Sequence, residues 1–151
     1  MPRIYLDVCC LNRPFDDQTQ ARIRLEAEAV LIILGQCEAG RWEWIASEVV
    51  DAEVGRISNP GGRRRVQLLI SHANRSIAIG EQERERAQQL ESWGVAAYDA
   101  LHLACAEAGG VEYFITCDDN IIKKARTDKT MIRMAVCGPL EFVLKEVFKD
   151  A

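Results

Sequence analysis

No two cysteines in this chain sit at C-x-x-C spacing, although it contains six. Cys9 and Cys10 are adjacent, and Cys37, Cys105, Cys117 and Cys137 are scattered. Zinc knuckles and disulfide frameworks both need regular spacing, so neither is expected. The cysteines are expected instead as free thiols, acting as small buried hydrophobes in a reducing compartment. Long apolar runs are missing too: the longest, AVLIIL at Ala29–Leu34, is far too short to span a bilayer. No basic, then apolar, then small-residue leader precedes the first strand. A cytoplasmic protein without a membrane segment is therefore expected. Positive charge is also in short supply, with a net charge of −4. The surface as a whole is not a nucleic-acid glove, which leaves room only for a local basic patch. Internal repeats and low-complexity linkers are absent, and 151 residues suffice for one compact domain over 1–151 with a real core.

What the chain does have is an alternation of short β-prone runs and helical stretches. Ile4–Leu6 reads as a buried strand followed by a loop holding Pro14. Asp17, three residues before Gln20, reads as a capping box for a helix that stops at Gly40. Arg41–Ala46 reads as a second strand. Ser47 is a good N-cap for SEVVDAEVGRI, with Pro60-Gly61-Gly62 ending that helix. RRRVQLLISHANRSI and EQERERAQQLESWG read as helices, the latter ending at Gly94, and AAYDALHLACAEAGG as a helix apolar nearly all round. VEYFIT is the clearest strand, DDNIIKKA opens another helix, Met134–Val136 is a last strand, and Pro139 opens a terminal helix. Strands separated by helices imply an α/β fold, with a central, mostly parallel sheet of about four or five strands flanked by helices.

Four acids stand out against this frame. Asp7 ends the first strand and Asp118 ends VEYFITC, which places both at the carboxyl edge where parallel α/β sheets bind ligands. Asp99 lies in the first turn of the apolar helix. Glu53 projects among Val49, Val50, Val54 and Ile57, whereas Glu48 and Asp51 point away. Two like charges about 4 Å apart repel by roughly 4 kcal/mol at an effective dielectric near 20. Four converging carboxylates therefore call for a hard divalent cation, Mg²⁺ or Mn²⁺, as in nuclease-type or phosphotransfer-type centres. Each acid also has a plain structural use as a cap or ion-pair partner. His102 shares a helix with Asp99 but has no second His/Cys pair to complete a zinc shell, so it reads as a packed helix residue.

The stretches IYLDVCCLNRPF, IASEVVDAEV, AAYDALHLACAEA and YFITCDDNIIKKA, taken in order, resemble the PIN-domain ribonucleases, particularly VapC-type toxins of toxin–antitoxin systems. The resemblance runs from residue 3 to the terminal helix. It implies a single PIN-like domain acting as a metal-dependent endoribonuclease. Asp7, Asp99 and Asp118 would hold one or two Mg²⁺ or Mn²⁺ ions, with Glu53 binding a second ion or orienting water. It also implies an RNA substrate, a cognate antitoxin that blocks the acidic groove with a basic side chain, and a homodimer. Arg13 and Asn12, after the first motif, and Lys123, Lys124 and Arg126, after the last, are candidate substrate contacts. Arg63–Arg65 form the densest basic run and suit a partner contact equally well. One departure is visible: such proteins usually carry Thr or Ser, then Asn or Ser, after the first aspartate, where this chain has Val8 and Cys9. That substitution supports an alternative, a PIN-like module that binds RNA or protein without cutting. A flavodoxin-like phosphoacceptor is disfavoured, because the first strand carries neither an acidic pair nor D-x-D.

Overall fold

The computed structural model describes residues 2–149. Five strands form one sheet: β1 (Arg3–Leu6), β2 (Glu43–Ser47), β3 (Arg75–Ile77), β4 (Tyr113–Ile115) and β5 (Ala135–Cys137). Their order is β3-β2-β1-β4-β5, and every neighbouring pair is parallel. The chain thus builds outward from β1 on one side, then crosses over and builds outward on the other. That reversal makes the carboxyl ends of β1 and β4 the switch point of the sheet, where such folds open a crevice. β1 is central, and Ile4, Tyr5 and Leu6 are all buried, as a strand covered on both faces must be. Tyr5 pairs with Ile45 on β2 and with Phe114 on β4, and its ring stacks on Phe114 at 5.2 Å.

Eight helices flank the sheet: α1 (Val8–Asn12), α2 (Ala21–Glu38), α3 (Glu48–Val54), α4 (Pro60–Ile70), α5 (Glu81–Trp93), α6 (Ala97–Ala108), α7 (Asp119–Thr127) and α8 (Pro139–Phe142). Ser47 caps α3 as expected, accepting a hydrogen bond from the Val50 amide. Gly94 ends α5 with φ 111°, the left-handed conformation that favours glycine. Among the described residues, no helix is long and apolar enough to cross a membrane.

Several local expectations are corrected. The segment after β1 is not a loop: α1 begins at once with Asp7 as its N-cap, and Arg13–Phe15 follow as a 3₁₀ turn. The capping box at Asp17 does not form, because Gln20 is the cap residue of α2 and Asp17 accepts from Thr19 in a turn of its own. Pro60-Gly61-Gly62 opens α4 and does not close α3: Asn59 caps Gly62, and proline at the first position costs no hydrogen bond. The helix drawn through Ile77 stops at Ile70, and Arg75–Ile77 becomes edge strand β3. Asn74 guides that change by accepting from the Trp44 amide.

Gly109 closes α6 with an ordinary negative φ, yet a methyl group there would lie 2.8 Å from Ile45 Cγ2 and 3.3 Å from Ile77 Cγ1. Gly35, inside α2, has open space around it. Gly109→Ala should therefore destabilise the fold by about 1–3 kcal/mol through overpacking. Gly35→Ala should stabilise it by up to about 1 kcal/mol through helix propensity. Urea unfolding of the two variants checks both signs.

Candidate metal centre

Asp7 enters the crevice from the end of β1, and its carboxylate is held at both oxygens. Oδ1 accepts from the Val8 amide at 2.8 Å, the cap of α1, and Oδ2 accepts from Thr116 Oγ1 at 2.8 Å. Thr116 is fully buried at the end of β4 and also accepts from the Asp118 amide at 3.1 Å. One hydroxyl thus links the ends of two adjacent parallel strands and the two aspartates they carry. Asp118 caps α7 through the Asn120 amide at 2.9 Å.

Glu53 arrives from α3 and His102 from α6. His102 Nε2 lies 3.0 Å from Glu53 Oε1 and 3.7 Å from Asp7 Oδ1. Ligand atoms of Asp7, Glu53 and His102 all fall within 4.8 Å of one another. Behind them runs a buried chain: Tyr5 Oη is 2.6 Å from His102 Nδ1 and 2.6 Å from Ser47 Oγ. With a neutral imidazole one arrangement satisfies every atom. Ser47 donates to Tyr5, Tyr5 donates to Nδ1, and Nε2–H donates to Glu53.

Asp99, in the first turn of α6, lies outside that close group but near enough for the charges of Asp7 and Asp118 to bear on it. Burial first, and then the charges of Asp7 and Asp118, raise its pKa to about 6. Burial, with Cys9 and Glu53, likewise pushes Asp7 up to about 7, against the pull of His102 and Thr116. For His102, burial alone would favour the neutral ring. The hydrogen bond to Glu53 and the charges of Asp7 and Asp99 outweigh it and hold the pKa above its ordinary value.

The other acids near the crevice are neutralised. Asp119 pairs with Arg22 through two 2.9 Å bonds, and the buried Glu26 accepts from Arg13 at 2.9 Å and Arg22 at 3.4 Å. Among the described residues, no lysine or arginine bridges to Asp7, Glu53, Asp99 or Asp118. This oxygen-rich donor set, short of cations, fits a hard divalent ion.

The basic candidates are more dispersed. Arg13 is engaged by Asp16 and Glu26, Lys124 stacks on Trp93 at 4.6 Å, and Arg126 bonds Glu141. Asn12 is half-buried at the end of α1, and Lys123 is exposed on α7. Arg56, three residues beyond Glu53, lies over the ring of Tyr98, the residue before Asp99, at 5.2 Å. It was not singled out from sequence. Also missed were the roles of Thr116, Tyr5, Ser47 and His102. Thr116 stands in the quoted T-x-D strand end and His102 one turn from Asp99, and those were the signals available.

A parallel α/β sheet with unneutralised carboxylates gathered at its switch point defines an acidic-centre α/β protein. More particularly, the chain belongs to the PIN domain family, whose profile matches residues 4–127. No curated relative matches it. Among solved structures it resembles FitAcB from Neisseria gonorrhoeae at 19% identity and TM-score 0.61, covering 90% of this chain and 97% of that one. VapBC2 from Rickettsia felis, bound to a DNA fragment from its promoter, aligns at 14% identity and TM-score 0.59, covering 90% and 98%. VapBC-1 from nontypeable Haemophilus influenzae aligns at 12% and 0.57, covering 91% and 98%. At such identities the likeness establishes a shared fold.

The raised carboxyl pKa values carry a pH signature. Asp7 and Asp99 bind protons more tightly folded than unfolded, so their contribution to stability is complete below the unfolded value of 3.8 and is lost as pH rises through about 6 to 7. His102, also raised, acts with the same sign. Asp119 and Glu141, with depressed values, act oppositely and only in the acid range. In chelator, the melting temperature should fall between about pH 5 and about pH 8, with roughly 2–4 °C lost per kcal/mol. Asp7→Asn should flatten that fall, since its Oδ1 can keep the Val8 bond and its amide can donate to Thr116. Mn²⁺ should restore stability at the upper end of the range.

Proposed function

We propose that this protein is a metal-dependent endoribonuclease and the toxin of a toxin–antitoxin pair. The observation that carries the reading is the contrast within the crevice: neighbouring acids have arginine partners, whereas among the described residues Asp7 and Glu53, which meet at His102, and Asp99 and Asp118 have none. In this reading Asp7, Asp99 and Asp118 hold Mg²⁺ or Mn²⁺, and Glu53 completes the site. A divalent ion bound there supplies Lewis acidity and neutralises charge developing on the phosphate.

The protein's own residues supply the rest. Thr116 and the Val8 amide fix Asp7 so that its carboxylate does not swing out of the crevice. His102 engages Glu53 Oε1, which leaves Oε2 to orient a water and take its proton as that water attacks the phosphodiester in line. Tyr5 and Ser47 fix the imidazole tautomer from behind. Arg56, Lys123 and Lys124 are the candidate phosphate contacts of this reading. Arg13 is less available because it pairs with Asp16 and Glu26, and Asn12 remains a candidate contact. Attack by water on that route leaves 5′-phosphate and 3′-hydroxyl ends.

The whole chain is read as one domain, because β5 and α8 continue the same sheet and core beyond residue 127. An antitoxin partner and a homodimer follow from the family reading. They are supported by the exposed Leu25, Leu31, Leu140, Leu144 and Phe148 on α2 and the C-terminal segment, which pack side by side. A cytoplasmic location accompanies an RNA substrate. A second reading, an RNA- or protein-binding module without cleavage, is favoured by Val8 and Cys9 beside Asp7, where the side chain of Val8 is buried.

Cleavage of RNA in Mn²⁺ separates these readings. Asp7→Asn and Asp99→Asn should each reduce cleavage by at least about a hundredfold, and His102→Ala by about 10–100-fold, the range typical of groups that support ligands. Cleavage by both aspartate variants at the wild-type rate would overturn the assignment. A wild-type protein that binds RNA without cutting it would leave the second reading standing.

A further inference from the structure

The sequence suggests six unrelated thiols, yet three of them meet. Cys9 and Cys10 come from the start of α1, and Cys117 from the turn between β4 and α7. We propose that these three cysteines form a thiolate site for a soft d¹⁰ cation, zinc(II) or copper(I), separate from the carboxylate centre.

The geometry is that of a site more than of packing. All three Sγ atoms lie within 4.8 Å of one another, and Cys10 Sγ is 3.7 Å from Cys117 Sγ. Sulfurs bound at about 2.3 Å to one metal stand roughly 3.8–4.0 Å apart in tetrahedral or trigonal arrangement, so little movement is needed. Successive residues on a helix diverge by about 100°, which normally sends adjacent side chains to different surroundings. Here both converge on one partner: Cys9 Sγ accepts from the Cys117 amide at 3.2 Å, while Cys10 Sγ points to Cys117 Sγ and the Ile115 carbonyl at 3.4 Å. Cys10 and Cys117 are buried and Cys9 is half-buried, which gives the group one open side. Arg22 donates to the Cys117 carbonyl at 3.2 Å and so ties that residue to α2.

Ligand softness divides the two centres. Thiolates select zinc or copper(I), whereas the carboxylates across Thr116 select magnesium or manganese. Thr116 Oγ1 is their point of contact, 3.5 Å from Cys9 Sγ and 2.8 Å from Asp7 Oδ2. Among the described residues, Cys37, Cys105 and Cys137 belong to no such group and are free thiols. The site needs no nuclease activity to exist, so it stands or falls independently of the functional reading.

The test uses the reduced, chelator-stripped full chain. It is titrated anaerobically with Zn²⁺ and, in a separate arm, with Cu⁺, each against a competing chromophoric chelator. Cd²⁺ serves as an optical probe of thiolate ligation. The expected result is one equivalent of Zn²⁺ or Cu⁺ bound, with thiolate-to-cadmium charge-transfer absorption. Cys9→Ser and Cys117→Ser should weaken binding at least about a hundredfold, more than loss of a supporting group would. Cys37→Ser should leave it unchanged. The two arms show which ion the site prefers. Should a variant fail to fold, alkylation mapping of wild-type protein gives an independent reading: bound metal should protect Cys9 and Cys117 but not Cys37. The proposal is overturned by the lack of a saturable first equivalent. It is also overturned by thiolate absorption that survives in both serine variants, or by equal alkylation of Cys9 with and without metal.

Discussion

The hydrogen bond from Thr116 to Asp7 is the contact on which the centre depends. It joins the carboxyl end of β1 to that of β4, the two strands between which the chain reverses direction across the sheet. Asp7 is almost completely buried, and an isolated buried carboxylate is costly. The Val8 amide and the Thr116 hydroxyl cover both of its oxygens, so the group can stay inside without an arginine. An arginine there would solve the electrostatic problem permanently and leave nothing for a cation to do.

The same logic explains how acids are treated around the crevice. Glu26 is as buried as Asp7, yet it is tied to Arg13 and Arg22 and joins α2 to the 3₁₀ turn at Arg13–Phe15. Asp119 stands next to Asp118 in sequence but is neutralised by Arg22. The unneutralised set keeps only His102, whose own charge depends on pH. The folded protein thus holds an electrostatic frustration at one place, and the surrounding ion pairs confine it there.

His102 connects this frustration to the core. Through Tyr5 it reaches Ser47, which also caps α3, the helix that presents Glu53. Strand β1, the cap of α3 and the face of α6 are therefore one hydrogen-bonded unit ending at the Glu53 carboxylate. Every donor in it has an acceptor, and such a fully satisfied buried network holds its members in fixed rotamers.

Much of this was legible in the sequence. Asp7 and Asp118 end β-prone runs, Asp99 opens an apolar helix, and Glu53 interrupts a row of valines, so local periodicity alone picked out the four acids. The parallel α/β class followed from the alternation of strands and helices. Other features were hidden for identifiable reasons. Strand β3 is three residues long at an exposed edge, and its pairing with β2 comes from Asn74 and not from any apolar pattern. His102 looked like a packed residue because Glu53 is 49 residues away and Tyr5 is 97 away. Cys9, Cys10 and Cys117 looked unrelated because 107 residues separate Cys10 from Cys117. The sequence by itself determined which side chains are out of place for their local element, since periodicity of burial is a property of neighbouring residues. Only the tertiary structure decided which of them meet, because a parallel crossover brings together strand ends that are distant along the chain, and contact distances are not written in local order.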